Sequence, residues 1–298
     1  MPKKEKIIQI TVIIEPMNKK NTVASLAQMK ANGEKITQLT CYDYTTARLM
    51  EEAGINMILV GDSLGMTMQG YKDTLPVTVD EMIVYGRSVQ RACENTFVVV
   101  DMPFMSYQIS PAQALENAGR IMKETGASAV KLEGGKSVCP QIKAITEAGI
   151  PVVAHIGMTP QSVNAFGGFK VQGKGEENAK RVLEDALAVQ EAGAFAVTLE
   201  CVPPKLSALI TKKLDIITIG IGATNECDGQ VLVYQDMLGM TGSFVPKFVK
   251  RFGEIGEAMK QAFVDYDNEV KAGTYPTEEQ MYVKSDCSDE FLKQLETM

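Results

Sequence analysis

A chain of 298 residues with a formal net charge of −7 can bury a large core without disulfides. It lacks the basic excess that a nucleic-acid surface requires. Its six cysteines, Cys41, Cys93, Cys139, Cys201, Cys227 and Cys287, are scattered without a C-x-x-C pair, which excludes a disulfide framework and fits reduced thiols in a reducing compartment; no apolar run reaches membrane-spanning length.

The chain opens on "MPKKEKIIQITVIIEPMNKK". A basic start and an apolar stretch resemble a secretory signal. Gln9 and Thr11 interrupt that stretch, Glu15-Pro16 ends it, and no small-x-small cleavage site follows, so the segment reads as an extension with Met17 a candidate native start. Residues 1–35 are assigned to this extension and a leading helix, 36–276 to one domain, and 277–298 to an acidic peripheral tail.

From Ile36 a rhythm sets in. Apolar runs of strand length occupy residues 36–40, 57–60, 96–100, 129–132, 151–154, 195–199, 216–220 and, more weakly, 230–234. They are nearly continuous rather than alternating, as in strands covered on both faces. Helical stretches fill most gaps, which predicts βαβ connections and a parallel sheet. Thr78 with Glu81 predicts a capping box, and Ser110, Pro111 and Gln113 predict a second helix start. Gly54, Gly126, Gly149 and Gly193 stand where left-handed helix ends are wanted. Only a short helix fits between the seventh and eighth runs. Eight such units predict a (β/α)8 TIM barrel. The alternative, an open doubly wound sheet, would carry an early Gly-rich phosphate turn, and none follows the first strand.

Ionisable groups recur at the C-terminal ends of these runs. Asp43 follows the first, Asp62-Ser63 the second and Asp101 the third; Lys131 and Glu133 close the fourth, His155 the fifth and Glu200 the sixth. In a barrel those ends meet at one mouth, where active sites sit. Asp62, Asp101 and Glu133 are hard oxygen donors suited to Mg²⁺ rather than zinc. Such a site suits a bidentate oxygen ligand such as an α-keto acid. Lys131 and Glu133 share a strand face and point inward together. Glu200, walled by Leu199 and Cys201, is a candidate general base with a raised pKa. Each residue has a plainer reading. Asp43 is better read as the N-cap of the following helix. His155, the single histidine, suits a hydrogen-bonded interior position. Lys131 and Glu133 could pair structurally. The "GGFKVQGKG" glycines match no phosphate loop, and residues 157–175 are long enough for an active-site lid. Met66 and Met68 read as packing.

The stretches "GDSLGMTMQGYKDTLPVT", "DMPFMSY", "VKLEGG", "HIGMTPQSVNAFGGFKVQG", "LECVP" and "IGIGA…DGQVLVYQDMLG" together closely resemble the 3-methyl-2-oxobutanoate (ketopantoate) hydroxymethyltransferase family, over residues 36–276. The resemblance implies a Mg²⁺-dependent (β/α)8 barrel of the phosphoenolpyruvate/pyruvate type. It implies transfer of a hydroxymethyl group from 5,10-methylenetetrahydrofolate to 3-methyl-2-oxobutanoate in pantothenate and coenzyme A biosynthesis, by a cytoplasmic homo-oligomer, commonly a decamer. By motif, it implies Asp62 and Asp101 as Mg²⁺ ligands with Glu133 the third acid of the metal site. Asp62, Ser63, Asp101 and Lys131 are implied as keto-acid contacts and Glu200 as the base, with His155 at the site in no fixed role. Cys41 stands where alanine is usual and Thr224 where glycine often follows "IGIGA"; Thr224 leaves the folate contacts open. Two competing readings are a related barrel enzyme that cleaves or rearranges carbon–carbon or carbon–phosphorus bonds, separable by folate dependence, and a non-catalytic oligomer, separable by binding without turnover.

Overall fold

The computed structural model describes residues 20–242, 245–284 and 287–298. The apolar N-terminal stretch and Met17 lie outside the described residues. The leading helix, α1 (Val23–Asn32), starts on a Thr22/Ser25 capping box and ends on left-handed Gly33.

Eight parallel strands then close into a barrel in sequence order. They are β1 (Ile36–Thr40), β2 (Met57–Val60), β3 (Phe97–Asp101), β4 (Ala129–Glu133), β5 (Val152–Gly157), β6 (Ala196–Glu200), β7 (Ile217–Ile221) and β8 (Gly229–Leu232). Between them run α2 (Tyr44–Glu52), α3 (Leu64–Thr67), α4 (Val79–Gln90), α5 (Pro111–Thr125), α6 (Cys139–Glu147), α7 (Val163–Phe166), α8 (Glu176–Glu191) and α9 (Pro204–Lys213). The open-sheet alternative is thereby excluded. Asp101, Glu133 and Glu200 are the last residues of their strands rather than the first residues beyond them.

The expected helix starts hold. Thr78 and Glu81 exchange a full capping box, and the Ser110 side chain accepts from Gln113 N–H with Pro111 in the first turn. The Asp43 side chain accepts from Thr46 N–H and caps α2, so it serves the helix. One expectation fails: residues 222–228, between β7 and β8, contain no helix. Asp228 Oδ2 accepts from Thr218 N (2.8 Å) and Oγ1 (3.0 Å), and pairs with Lys30 Nζ at 2.9 Å. These bonds anchor the end of the connection, whose residues form bends and a turn instead.

Side chains two residues apart share a strand face, and the barrel interior is sorted by that rule. Ile36, Met57, Leu59, Phe97, Val99, Ala129, Val153, Ala196, Ile217, Ile219 and Val231 pack together as an apolar interior, joined by Leu26 of α1. Continuing along the same faces gives Asp101 after Val99, Lys131 and Glu133 after Ala129, His155 after Val153, and Thr198 and Glu200 after Ala196. The interior is therefore apolar toward the strand starts and charged toward the strand ends.

A carboxylate outside the mouth does purely structural work. Glu51 of α2 accepts from the backbone N–H groups of Asn95 (2.8 Å) and Thr96 (2.9 Å) and from Asn95 Nδ2 (3.0 Å), fixing the turn into β3. Burial opposes its charge, but these bonds prevail and hold Glu51 below the ordinary carboxylate range. Glu51→Ala should cost about 1–3 kcal/mol in urea unfolding, because it orphans those donors. The folded-state pKa is depressed, so this contribution is present in full above the unfolded-state value. It is lost as pH falls through the lower folded one, and the Glu51→Ala deficit should therefore shrink in acid.

The contact pattern divides the described residues into two compact units, the first running to residue 234 with residues 246–249 added, and the second taking the other described residues from 235 onward. The boundary drawn from sequence at residue 276 falls inside the second. α10 (Tyr234–Met237) spans the first junction, and the second unit carries α11 (Ile255–Ala272) and α12 (Asp289–Leu295). Phe263 and Tyr266 of α11 are exposed, and Tyr266 stacks edge-on against Tyr275. Among the described residues no helix is long and apolar enough to cross a membrane.

Candidate active site

Strand register assembles the charged residues. Asp101 lies beside Lys131, Glu133 beside His155, and Gly157 beside Glu200. Lys131 Nζ pairs with Asp101 Oδ1 at 2.8 Å and lies 3.4 Å from His155 Nδ1. His155 bridges two acids, Nδ1 standing 3.3 Å from Glu133 Oε1 and Nε2 3.3 Å from Glu200 Oε2. Asp62 N–H donates to Asp101 Oδ2 at 3.0 Å. The cluster is thus one continuous array from β2 to β6. Asp62, Asp101, Lys131, Glu133 and His155 are buried, while the Glu200 side chain, 14% exposed, keeps an open edge.

Burial beside Asp101 and Glu133 pushes Asp62 well above the usual carboxylate range. Burial also raises Asp101, against the pull of Lys131. Glu133 goes the other way, because His155 and Lys131 outweigh its burial. Burial works against the Lys131 charge, but Asp101, Glu133 and Asp62 hold its ammonium above the ordinary lysine value. Burial and Lys131 oppose a charge on His155, yet Glu133 and Glu200 raise it to about 9. Four acidic side chains, Asp62, Asp101, Glu133 and Glu200, thus face two basic ones, Lys131 and His155.

Two glycines permit this geometry. A β-carbon on Gly61 would stand 2.9 Å from Ser63 Oγ and 3.4 Å from Asp101 Oδ2. Gly157 has φ +92°, and a β-carbon there would run into the Glu200 carbonyl. Next to the candidate base, Cys201 adopts φ +49°, a conformation costly for a residue with a β-carbon. Its thiol is pushed up to about 11 by burial and by Glu200, so it is no thiolate nucleophile near neutrality.

The donor chemistry of the site suits a hard cation. Among the described residues no three His, Cys, Asp or Glu side chains converge closely enough to cage a metal unaided. Mg²⁺ needs no such cage, since it takes one or two carboxylates and completes its shell with water and substrate oxygens.

The sequence matches the family model described as "Ketopantoate hydroxymethyltransferase" over residues 20–278. The chain belongs to the ketopantoate hydroxymethyltransferase family. It is 61% identical over 263 residues to the 3-methyl-2-oxobutanoate hydroxymethyltransferase of Clostridium novyi (strain NT), covering 88% of this chain and 96% of that protein. It is 58% identical over 267 residues to the enzyme of that name from Enterococcus faecalis (strain ATCC 700802 / V583), covering 90% and 97%. Solved structures share the fold at much lower identity. Phosphonopyruvate hydrolase superposes with TM-score 0.58 at 12% identity, covering 93% of this chain and 95% of that one. A 2,3-dimethylmalate lyase, described as a PEP mutase/isocitrate lyase superfamily member, superposes with TM-score 0.58 at 14% identity, covering 92% and 94%. These likenesses show the fold, a closed (β/α)8 barrel.

In this member of the ketopantoate hydroxymethyltransferase family, the residues singled out from sequence lie at one mouth. Ser63 joins through a 2.8 Å hydrogen bond between its Oγ and Tyr42 OH. Sequence reasoning missed Tyr42, Tyr107 and Gln161. Tyr107 OH accepts from Glu133 N–H at 3.1 Å and donates to Gln161 Oε1 at 2.6 Å. Gln161 Nε2 donates to Asp62 Oδ2 at 2.9 Å, and Gln161 N–H to Glu133 Oε2 at 2.9 Å. The available signal was position: Tyr42 follows β1, Tyr107 lies in "DMPFMSY", and Gln161 opens the long connection after β5.

Proposed function

We propose that this enzyme transfers a hydroxymethyl group from 5,10-methylenetetrahydrofolate to 3-methyl-2-oxobutanoate, giving 2-dehydropantoate in pantothenate biosynthesis. The observation that carries the mechanistic reading is the mouth array. A partly open carboxylate, Glu200, stands across His155 from a buried lysine–carboxylate cluster.

Asp62 and Asp101 are the residues that would hold Mg²⁺. Glu133, with one oxygen toward His155 and the other on Gln161 N–H, adds negative charge to the same wall. When bound, Mg²⁺ supplies Lewis-acid polarisation of the keto oxygen. Glu200 removes the proton from C3 of the keto acid. His155, 3.3 Å from Glu200 Oε2, holds that carboxylate toward the mouth. Lys131 balances the negative charge that moves onto the keto oxygen, in a buried setting where fixed charges act strongly. Ser63, steadied by Tyr42, contributes a hydroxyl to keto-acid binding. The methylene carbon leaves both folate nitrogens: one carbon–nitrogen bond is replaced by the bond to C3 and the other by a bond to a water oxygen, while the C3 proton and one water proton end on the two nitrogens.

Proton NMR of 3-methyl-2-oxobutanoate in D₂O checks this directly. The C3–H signal should fade with enzyme and Mg²⁺ and persist with EDTA, and adding 5,10-methylenetetrahydrofolate should yield 2-dehydropantoate. Absence of that product with metal, keto acid and folate all present would sink the assignment.

A further inference from the structure

We propose that Gln161 is a positioning residue for the cation site: it orients Asp62 and Glu133 from the connection after β5, and divalent-cation affinity depends on its carboxamide. The inference rests on the reading of Asp62 and Asp101 as the residues that hold the metal.

Gln161 sits in the 3-10 turn Pro160–Ser162 directly after β5 and is buried. A glutamine side chain offers two N–H donors and two acceptor lone pairs. All four are used here. Nε2 donates to Asp62 Oδ2 (2.9 Å) and to Met102 O (3.0 Å). Oε1 accepts from Tyr107 OH (2.6 Å) and Gln108 Nε2 (3.2 Å). Two acceptors on one side and two donors on the other leave the amide a single orientation. A carboxamide oxygen can only accept, so the Tyr107 hydroxyl is the donor in its contact with Oε1. The backbone N–H adds the bond to Glu133 Oε2 (2.9 Å). One residue therefore restrains an acid following β2 and the acid ending β4, and ties both to the segment after β3.

Such saturation has a functional reading beyond filling space. Asp62 is buried beside Asp101, and without a fixed donor its carboxylate would be free to turn away. The Nε2 donor to Oδ2 fixes the carboxylate plane in the array. Hydrogen bonds to metal-binding carboxylates set affinity by this route, and removing such a partner costs about 10–100-fold in metal binding.

The test uses the full-length protein and Mn²⁺ as the probe, with free Mn²⁺ read by electron paramagnetic resonance in the absence of keto acid. Gln161→Met keeps the chain length and the backbone N–H but removes the carboxamide; it should weaken Mn²⁺ binding by about 10–100-fold. Gln108→Leu removes a different bond to the same carboxamide without touching a carboxylate, and should leave the affinity within about twofold, as expected of a group outside the ligand-orienting path. Circular dichroism and thermal melting accompany each variant. If Gln161→Met fails to fold, Gln161→Asn decides, because it keeps the amide but is one methylene too short to reach Asp62. Parental Mn²⁺ affinity in a folded Gln161 variant overturns the inference, and so does an equal loss in Gln108→Leu. Failure of the parent protein to bind Mn²⁺ would instead overturn the metal reading on which the inference rests.

Discussion

Glu200→Gln is expected to lower kcat by about 10²-fold or more, the usual size of a lost general base, and to abolish C3–H exchange in D₂O. The substitution is isosteric. The new carboxamide can still reach His155 Nε2, which lies 3.3 Å from the native Oε2, so position is kept while the proton acceptor is lost. The side chain is 14% exposed and pairs with His155 at the edge of the array, so the melting temperature should fall less than on loss of the buried Lys131. KM for the keto acid should change far less than kcat, the pattern of an interaction used in the transition state rather than in ground-state binding. Exchange at the parental rate in the folded variant would remove Glu200 from the role of base.

Lys131→Met should destabilise the fold by about 3–5 kcal/mol, the range for removing one partner of a buried ion pair. Lys131 is buried, and its Nζ is 2.8 Å from Asp101 Oδ1. Methionine matches its length but leaves Asp101, Asp62 and Glu133 with His155 as their remaining cationic neighbour. Urea unfolding in EDTA reads the loss. Millimolar Mg²⁺ should return part of it, since a cation that binds only the folded state stabilises by mass action. An unchanged unfolding midpoint in EDTA would show that the acids are held neutral and that Lys131 does not balance them.

The barrel was largely legible in the sequence because its strands are covered on both faces. Runs such as "MILV" and "FVVV" therefore read as continuous apolar stretches. Thr78 and Ser110 marked helix starts because capping is a local matter of one side chain and the next turn. The β7–β8 connection was misjudged because Asp228 is used across the chain, on Thr218 and Lys30, and nothing local announces that use. The charged residues of the mouth were legible as strand-end residues. Their pairing was not, because it depends on register: Asp101 meets Lys131 only because β3 and β4 align them. Gln161 was illegible for a stronger reason. A neutral amide in a polar connection carries no charge pattern, and its partners come from segments tens of residues away.

The sorting of the interior along the strands has a consequence for altering this enzyme. The residues that hold the cylinder closed, such as Met57, Phe97, Val99 and Ile219, are different from the charged residues of the mouth, yet both sets ride on the same short strands. Redesign at the rim can therefore leave the apolar layer untouched, provided the buried charges stay balanced and the substituted side chain ends where the native one did. A single-residue insertion within β3 or β4 offers no such freedom. It would turn every later side chain to the opposite face, carrying Asp101 or Lys131 out of the lumen.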